Sequence, residues 1–399
     1  MKISVIIPAY NSQQALELCL LTLGHTQLAP PHSYEVVIVD DGSDDGTAEM
    51  LASFRARFDL RWVTLPRTAA SGRSRARNAC VERATGDVVL MIDADQLITP
   101  GLVAEHVRYH ELSPDLVVVG RRDELAEGPL DRDVLARSFT MQALPPVVAE
   151  DSREAVYACF SANLNNLATR WHHLYSCNAS VRREHLLAVG GFDESFRGWG
   201  LEDTELGYRL HRRGLAFAYN PAAVVYHQRA QRVTTRMFAE WRRNLRRFSD
   251  KHANAPEVVI QSVLGRPELP WEHCMQRFEY AARALAGRLP RPISYHLLEA
   301  DDGNVTTVRD RLSSMAATTD LLVIDDSTHA ELSGAVQCID TPHELLYFRR
   351  PTAGERTRIL ARHQLARQPR TARRLRSEGQ DAGAGGSRQS PSPTSAFGR

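Results

Sequence analysis

The chain is 399 residues long, 43% hydrophobic and 24% charged, with a formal net charge of +1. That length exceeds the usual size of one domain, so a main folded unit of about 250 residues with a C-terminal extension is expected. The near-neutral charge gives no global attraction to nucleic acid, and no apolar run reaches the roughly 18 residues needed to cross a bilayer, which argues against a nucleic-acid partner and an integral membrane protein.

The stretch from Met1 to Pro8 is too short and wrongly flanked for a secretory signal, and it reads as a first strand, Ile3 to Pro8. A segment from Gln13 to Leu23 has apolar spacing suited to a helix, and Tyr34 to Asp40 reads as a second strand. That strand ends in Asp40-Asp41-Gly42-Ser43-Asp44-Asp45-Gly46-Thr47, where Gly and Asp supply a tight turn and an N-cap for a helix from Ala48 to Phe58. Strands are expected at Leu60 to Leu65 and Val88 to Ile92, with a basic helix, Arg73 to Ala84, between them. Strands alternating with helices predict an α/β fold whose mostly parallel sheet is covered on both faces.

Leu116 to Gly120 is a further strand, followed by a polar region to about Asn178 whose topology the periodicity does not trace. Ala216 to Tyr226 reads as a strand ending at His227, and Thr235 to His252 as a basic helix. Residues 271–350 contain another helix and the apolar run Leu321 to Ile324, enough for a small appended α/β element. From Arg367 onward Arg, Ser, Gly and Pro dominate, a composition that cannot bury a core and predicts a disordered tail. The expected divisions are therefore 1–110, 111–255, 256–366 and 367–399. Six cysteines are scattered without a Cys-x-x-Cys pair, which fits a reducing cytoplasm better than a disulfide framework or zinc cluster.

Ligands of open α/β sheets bind outside the carboxyl ends of the strands, where Asp40, Asp41, Asp93 and Asp95 all fall. Asp93-Ala94-Asp95 directly follows the apolar run Val88 to Ile92, so a buried strand delivers both carboxylates to its tip. Hard oxygen ligands suit Mn²⁺ or Mg²⁺, although a solvated acidic turn would look the same in isolation. Asp40 and Asp41 could equally be turn-makers and caps. Arg75, in Ser71-Gly72-Arg73-Ser74-Arg75-Ala76-Arg77-Asn78, could meet a diphosphate or lie on a solvated helix face.

Farther along, Gly198-Trp199-Gly200-Leu201-Glu202-Asp203 opens a helix. Helix-end electrostatics favours carboxylates there but does not explain Trp199 between two glycines. An indole face beside paired carboxylates suits a sugar ring, which packs its C–H face on the aromatic and donates hydroxyl bonds to the acids.

Ile6-Ile7-Pro8-Ala9-Tyr10-Asn11, Val36 to Ser43, Gly72 to Asn78 and Asp93-Ala94-Asp95 together resemble, in order and spacing, the family 2 glycosyltransferases. The resemblance covers residues 1 to about 230 and implies a GT-A fold and transfer of a sugar from a nucleotide-diphosphate donor, by default a uridine one. It implies that Pro8, Tyr10 and Asp41 line the nucleoside site with Asp40 nearby, that Asp93 faces ribose and metal, and that Asp95 binds the metal. The Trp199 segment resembles the Trp-Gly-x-Glu-Asp motif of galactosyltransferase-like domains. The Glu202-Asp203 pair points to the inverting group, with Asp203 as base and Glu202, beside Trp199, as an acceptor ligand. In those families a His at the place of His227 completes the metal site; a lone His after a strand is otherwise a packing residue.

The acceptor is not legible: a glycan, a lipid-linked sugar or a small molecule all fit. The helix around Trp241-Arg242-Arg243 could touch an anionic membrane surface or an acidic acceptor, or be a solvated helix with a buried aromatic edge. A nucleotidyltransferase would need a Gly-rich phosphate loop with a following Lys near the first strand, which is missing, and a dinucleotide-binding enzyme would need Gly-x-Gly-x-x-Gly where Pro8 stands. A non-catalytic sugar-nucleotide-binding scaffold is the remaining alternative.

Overall fold

The computed structural model describes residues 1–159, 163–228, 233–264, 271–286, 295–328, 330–341, 343 and 345–366. The expected disordered tail, 367–399, lies outside the described residues.

The larger sheet begins with β1 (Lys2–Ala9), β2 (Ser33–Asp40), β3 (Asp59–Thr64) and β4 (Val88–Ile92), ordered β3-β2-β1-β4 and all parallel. β1 explains the two cores. Ile3, Val5 and Ile7 alternate onto one face, under helices Gln13–Leu23 and Leu102–Leu112, while Ile6 faces the other, under helix Arg73–Arg83. Ser4, on the Ile6 side, is buried without being apolar because its hydroxyl donates to Glu35 at 2.6 Å and accepts from Gly86 N at 2.8 Å. The helix expected from Ala48 to Phe58 is shorter, Thr47–Ser53; its first turn starts on the left-handed Gly46.

β5 (Gln96–Ile98), β6 (Leu116–Leu125), β7 (Val147–Ala149), β8 (Asn178–Arg182) and β9 (Ala216–His227) complete this sheet in the order β4-β8-β6-β9-β5, with β7 on β6. β8 runs antiparallel to both β4 and β6, so the sheet is parallel in its first half and mixed in its second. β8 had no apolar signature to betray it: Asn178 and Ser180 are buried, bonded to His106 at 2.9 and 2.8 Å, and Ser180 also meets His110 at 2.8 Å. Burial pushes both imidazoles down, His106 to about 4 and His110 to about 3, so they are neutral partners.

Only Asp93-Ala94-Asp95 separates β4 from β5, yet three strands lie between them in the sheet. A link that short reaches no more than about 14 Å fully extended, so the sheet must curl until its β5 end approaches β4. Curling places the acidic triplet across the mouth of the fold. The result is the GT-A type of α/β architecture expected above, with helices flanking a curled central sheet.

β10 (His296–Ala300), β11 (Leu321–Asp325) and β12 (Leu345–Arg349) form a separate parallel sheet with its own core of Leu312, Leu321, Val323, Leu332 and Leu345. It docks on the larger unit through Asn165, which donates to the Gln337 carbonyl at 2.7 Å, and Arg170, which pairs with Asp340 at 2.8 Å. No helix among the described residues is long and apolar enough to cross a membrane.

Candidate active site

Two registers fix the first carboxylate centre. Gln96 of β5 pairs with His227 of β9, and His227 pairs with Glu124 of β6. Asp95, one residue before Gln96, is thereby set against the imidazole: its carboxylate lies 3.0 Å from His227 Nε2, and its carbonyl accepts from Gln228 N at 3.0 Å. Glu124 takes the other ring nitrogen, Nδ1, at 2.9 Å. Burial would lower the His227 pKa, but its bonds to Asp95 and Glu124 win and raise it to about 9, while Asp95 is held below the usual carboxylate range by the same pairing.

Asp93 points elsewhere. Its Oδ1 accepts from Arg77 Nη2 at 2.9 Å, and Arg77 Nη1 donates to Glu202 Oε1, also at 2.9 Å. As the side chains stand, no group of three or more His, Cys, Asp or Glu among the described residues forms a metal-holding array. The donor set of Asp95 and His227 nevertheless suits a hard divalent ion, and Glu124 on Nδ1 is the partner that orients a ligating imidazole through its far nitrogen.

The residues expected at the nucleoside form a second knot. Asp40 is buried with its valences spent inside the protein: Oδ1 accepts from Ser43 N at 3.0 Å and Oδ2 from Thr64 Oγ1 at 3.1 Å. Asp41 accepts from Arg67 Nη1 at 2.8 Å and from Arg75 Nη1 at 3.4 Å, and Arg67 lies 3.8 Å over the centre of the exposed Tyr10 ring. Pro8 sits in β1 opposite Val39, beyond the last β1–β4 pair, Ile6 with Met91, so its missing N–H falls where β1 and β4 have already parted. Tyr10, Asp41 and Asp93 directly follow the carboxyl ends of β1, β2 and β4, at the edge of the sheet where that fork opens.

The Trp199 segment is held by its backbone. Gly198, Gly200 and Leu201 are left-handed, with φ of 76°, 91° and 73°. A side chain on Gly200 would come within 2.9 Å of the Trp241 ring. Leu201 has no such licence and carries strain of about 1–2 kcal/mol, a cost that turns Glu202 and Asp203 into the first turn of helix Glu202–Arg212. Helix Thr235–Lys251 braces the turn: Glu240 accepts from Trp199 N at 3.0 Å, and Asn244 donates toward the carbonyls of Gly200, Arg197 and Trp199 at 2.8, 3.1 and 3.4 Å. The buried aromatic edge of this basic helix, Trp241 and Phe248, therefore packs inside, while Arg242, Arg243 and Arg246 are exposed.

Asp203 accepts from Ser176 N at 3.1 Å and Thr204 N at 2.8 Å. Burial, then the neighbouring Glu202 charge, raise its pKa to about 6 against the opposing pull of Arg77. A carboxylate poised there can take a proton near neutral pH.

Two members of this constellation, Arg77 and Glu124, were not singled out in the sequence. A signal for Arg77 existed: Ser74, Arg77, Cys80 and Val81 recur at helical spacing and all are buried, so the arginine lies on the inward face. Glu124 gave none, because β6 continues past its apolar run through the polar Arg121-Arg122-Asp123-Glu124.

With this geometry in hand, the chain meets its relatives. Residues 4–190 match the family description "Glycosyl transferase family 2" and residues 157–269 match "Glycosyltransferase like family 2". Together the two matches span residues 4–269, so over that stretch the chain is similar to the family 2 glycosyltransferases. It is 29% identical over 300 residues to the uncharacterized glycosyltransferase YfnE of Bacillus subtilis, covering 68% of this chain and 75% of that one. It is 28% identical over 276 residues to the validoxylamine A glucosyltransferase of Streptomyces hygroscopicus subsp. limoneus, covering 66% of this chain and 60% of that one. It is 25% identical over 239 residues to the chondroitin synthase of Escherichia coli, covering 57% of this chain and only 34% of that longer one. Among solved structures, S. aureus TarS in complex with UDP-GlcNAc matches with a TM-score of 0.45 at 18% identity, covering 70% of each chain.

Proposed function

We propose that the chain transfers a hexosyl unit from a nucleotide-diphosphate sugar, by default a uridine one, to an acceptor hydroxyl with inversion at the anomeric carbon. The observation that carries this reading is the junction at Arg77, where the donor-side Asp93 and the acceptor-side Glu202 meet on one buried side chain, 2.9 Å from each. A donor in the β1–β4 fork would then present its anomeric carbon toward Glu202 and Asp203.

In this reading Tyr10, Pro8 and Asp41 line the nucleoside, Arg75 lies beside the diphosphate, and Asp40 keeps the loop in shape. Asp203 removes the proton of the attacking hydroxyl, Glu202 accepts a bond from the acceptor, and Trp199 offers its ring to the acceptor sugar. An inverting displacement requires base and leaving group on opposite sides of the anomeric carbon, and two neighbouring carboxylates at a helix head can divide the tasks of base and acceptor ligand. Asp95 and His227 would hold Mn²⁺ or Mg²⁺, Asp93 being engaged by Arg77 instead, and the bound ion would offset the charge of the departing diphosphate. The names of the glucosyltransferase and chondroitin synthase relatives make a glycan or small-molecule acceptor the first to try.

The test is a panel of nucleotide sugars with Mn²⁺, Mg²⁺ or chelator, read by release of the nucleoside diphosphate, with the product anomer assigned by NMR. Metal-dependent UDP release and an inverted product are expected. Retention of configuration would sink the assignment of Asp203, and pyrophosphate release from a nucleoside triphosphate would replace the reading with a nucleotidyltransferase.

A further inference from the structure

We propose that Arg77 is a positioning residue that keeps Glu202 in register with Asp93, so that the acceptor-side carboxylates stand at a fixed place relative to the donor crevice. The proposal rests on the functional reading above.

Arg77 is only 3% exposed, and its two terminal nitrogens are divided between the halves of the site, Nη2 to Asp93 and Nη1 to Glu202. The guanidinium fork is rigid and planar, so two bonds from one group fix the separation and orientation of the two carboxylates, not merely their charge. Its neighbours on helix Arg73–Arg83 act across the same seam. Asn78 donates to the Phe192 carbonyl at 2.9 Å and accepts from Phe192 N at 2.7 Å, and Arg73 donates to the Gly198 carbonyl at 3.1 Å. Gly191 is obligatory beneath Asn78, since a side chain there would stand 2.5 Å from its Oδ1. One helix thus joins the donor strands to the Gly190–Glu205 segment at three places.

Two atoms at the junction are buried without a partner: Glu202 Oε2 and Arg77 Nε. An unpaired carboxylate oxygen inside a protein is costly unless something arrives to use it. Glu202 Oε1 is committed to Arg77, which leaves Oε2 as the oxygen an acceptor hydroxyl would meet. Without the guanidinium, Glu202 would be a buried charge beside Asp203 with nothing to hold its direction.

The experiment compares Arg77→Lys with the wild type in three measurements: UDP affinity by calorimetry, hydrolysis of the nucleotide sugar without acceptor, and transfer. A lysine keeps the charge but cannot span both carboxylates, so transfer should fall about 100-fold in kcat, at least about tenfold more than UDP affinity or hydrolysis. Transfer within about threefold of wild type overturns the proposal. Equal losses in transfer, hydrolysis and UDP affinity overturn it as well, since Arg77 would then serve donor binding alone. If Arg77→Lys does not melt cooperatively, Arg77→Gln combined with Glu202→Gln takes its place, removing both charges together. That pair should transfer no worse than Glu202→Gln alone, and additive losses would refute the coupling. Absence of nucleotide release from every sugar donor by the wild type fails the functional reading itself, and the proposal with it.

Discussion

Asp95, His227 and Glu124 are brought together by strand register, whereas Glu202 and Asp203 are held by a left-handed turn that leans on helix Thr235–Lys251. A register is specified by every pair along the strands, because a slip of one residue reverses all side chains. The turn depends on a few contacts and on a strained Leu201. The sheet-built centre should therefore tolerate changes around it and fail only when its own ligands change. The turn-built centre should respond to residues that never touch a substrate.

The largest effect is expected at the base. Asp203→Asn should lower transfer by about 10²–10⁴-fold, the usual worth of a positioned general base, with UDP affinity nearly unchanged. The same variant tests linkage. The folded-state pKa of Asp203 is raised above its ordinary value, to about 6, so ionising it costs stability, and that cost grows as pH rises from the ordinary value through about 6. Asp203→Asn should therefore melt at a higher temperature than wild type at pH 7.5, with the difference vanishing at pH 4. For the wild type, transfer should rise with pH through an acid limb near 6. A limb near 4 would mean the pair does not share its charge as described.

At the sheet-built centre, Glu124→Gln should weaken Mn²⁺ dependence by about 10–100-fold in apparent metal affinity, as expected for a partner that orients a ligating imidazole. His227→Ala should weaken it at least as much. Titration of activity with Mn²⁺ separates the outcomes: unchanged metal dependence in both variants would make His227 a packing residue and remove the contrast between the centres.

The interior of the sheet gives a smaller, pH-dependent test. His106 and His110 are neutral in the folded chain at pH values where an unfolded chain would protonate them. Their folded pKa values lie below the ordinary 6.5, so they destabilise the fold as pH falls below about 6.5, by about 1–2 kcal/mol each at pH 5. Glu35 acts only lower down. Burial would raise its pKa, but bonds from Lys2, Ser4 and Thr85 hold it at about 2, and its contribution is lost only below the ordinary carboxylate range. A fall in melting temperature between pH 7 and 5 that is roughly halved in a His106→Gln, His110→Gln variant would bear this out, since burial also depresses His172 and His173, which carry the rest. A fall unaltered in that variant would place the acid sensitivity elsewhere.

Much of this contrast was legible in the sequence, and unevenly so. β1, β2, β4 and helix Gln13–Leu23 fall where apolar periodicity places them, because each buries its face against long apolar neighbours. Asp93, Asp95, Glu202 and Asp203 were legible because they end or begin such elements. β8 was not, since Ala179 and Val181 are its only apolar residues and the polar Asn178 and Ser180 beside them are buried too, satisfied by His106. Arg77 could be told from Arg73 and Arg75, four and two residues away, only by its helical spacing from Ser74, Cys80 and Val81, which puts it on the buried face. Asp40, read as near the nucleoside, turns out to be spent on Ser43 and Thr64.

The smallest predicted effect is also the one that best separates the two centres. Asn244 lies outside both carboxylate pairs, yet its amide is aimed at the carbonyls of Arg197, Trp199 and Gly200. Asn244→Ala removes the donor and leaves Glu240, on Trp199 N, as the remaining brace of the turn, at a cost of about 1–2 kcal/mol. Because the loss falls on the loop that carries Trp199, it should appear as a rise in acceptor KM of about five- to tenfold, with donor KM and metal dependence unchanged. A register-built centre has no counterpart to such a residue: Thr99, whose hydroxyl donates to the Val224 carbonyl at 2.8 Å beside β5 and β9, is the nearest analogue, and Thr99→Val should leave metal dependence within about twofold. If the two substitutions shift their centres equally, the turn is as firmly specified as the sheet, and the strain at Leu201 is absorbed by the helix beneath it.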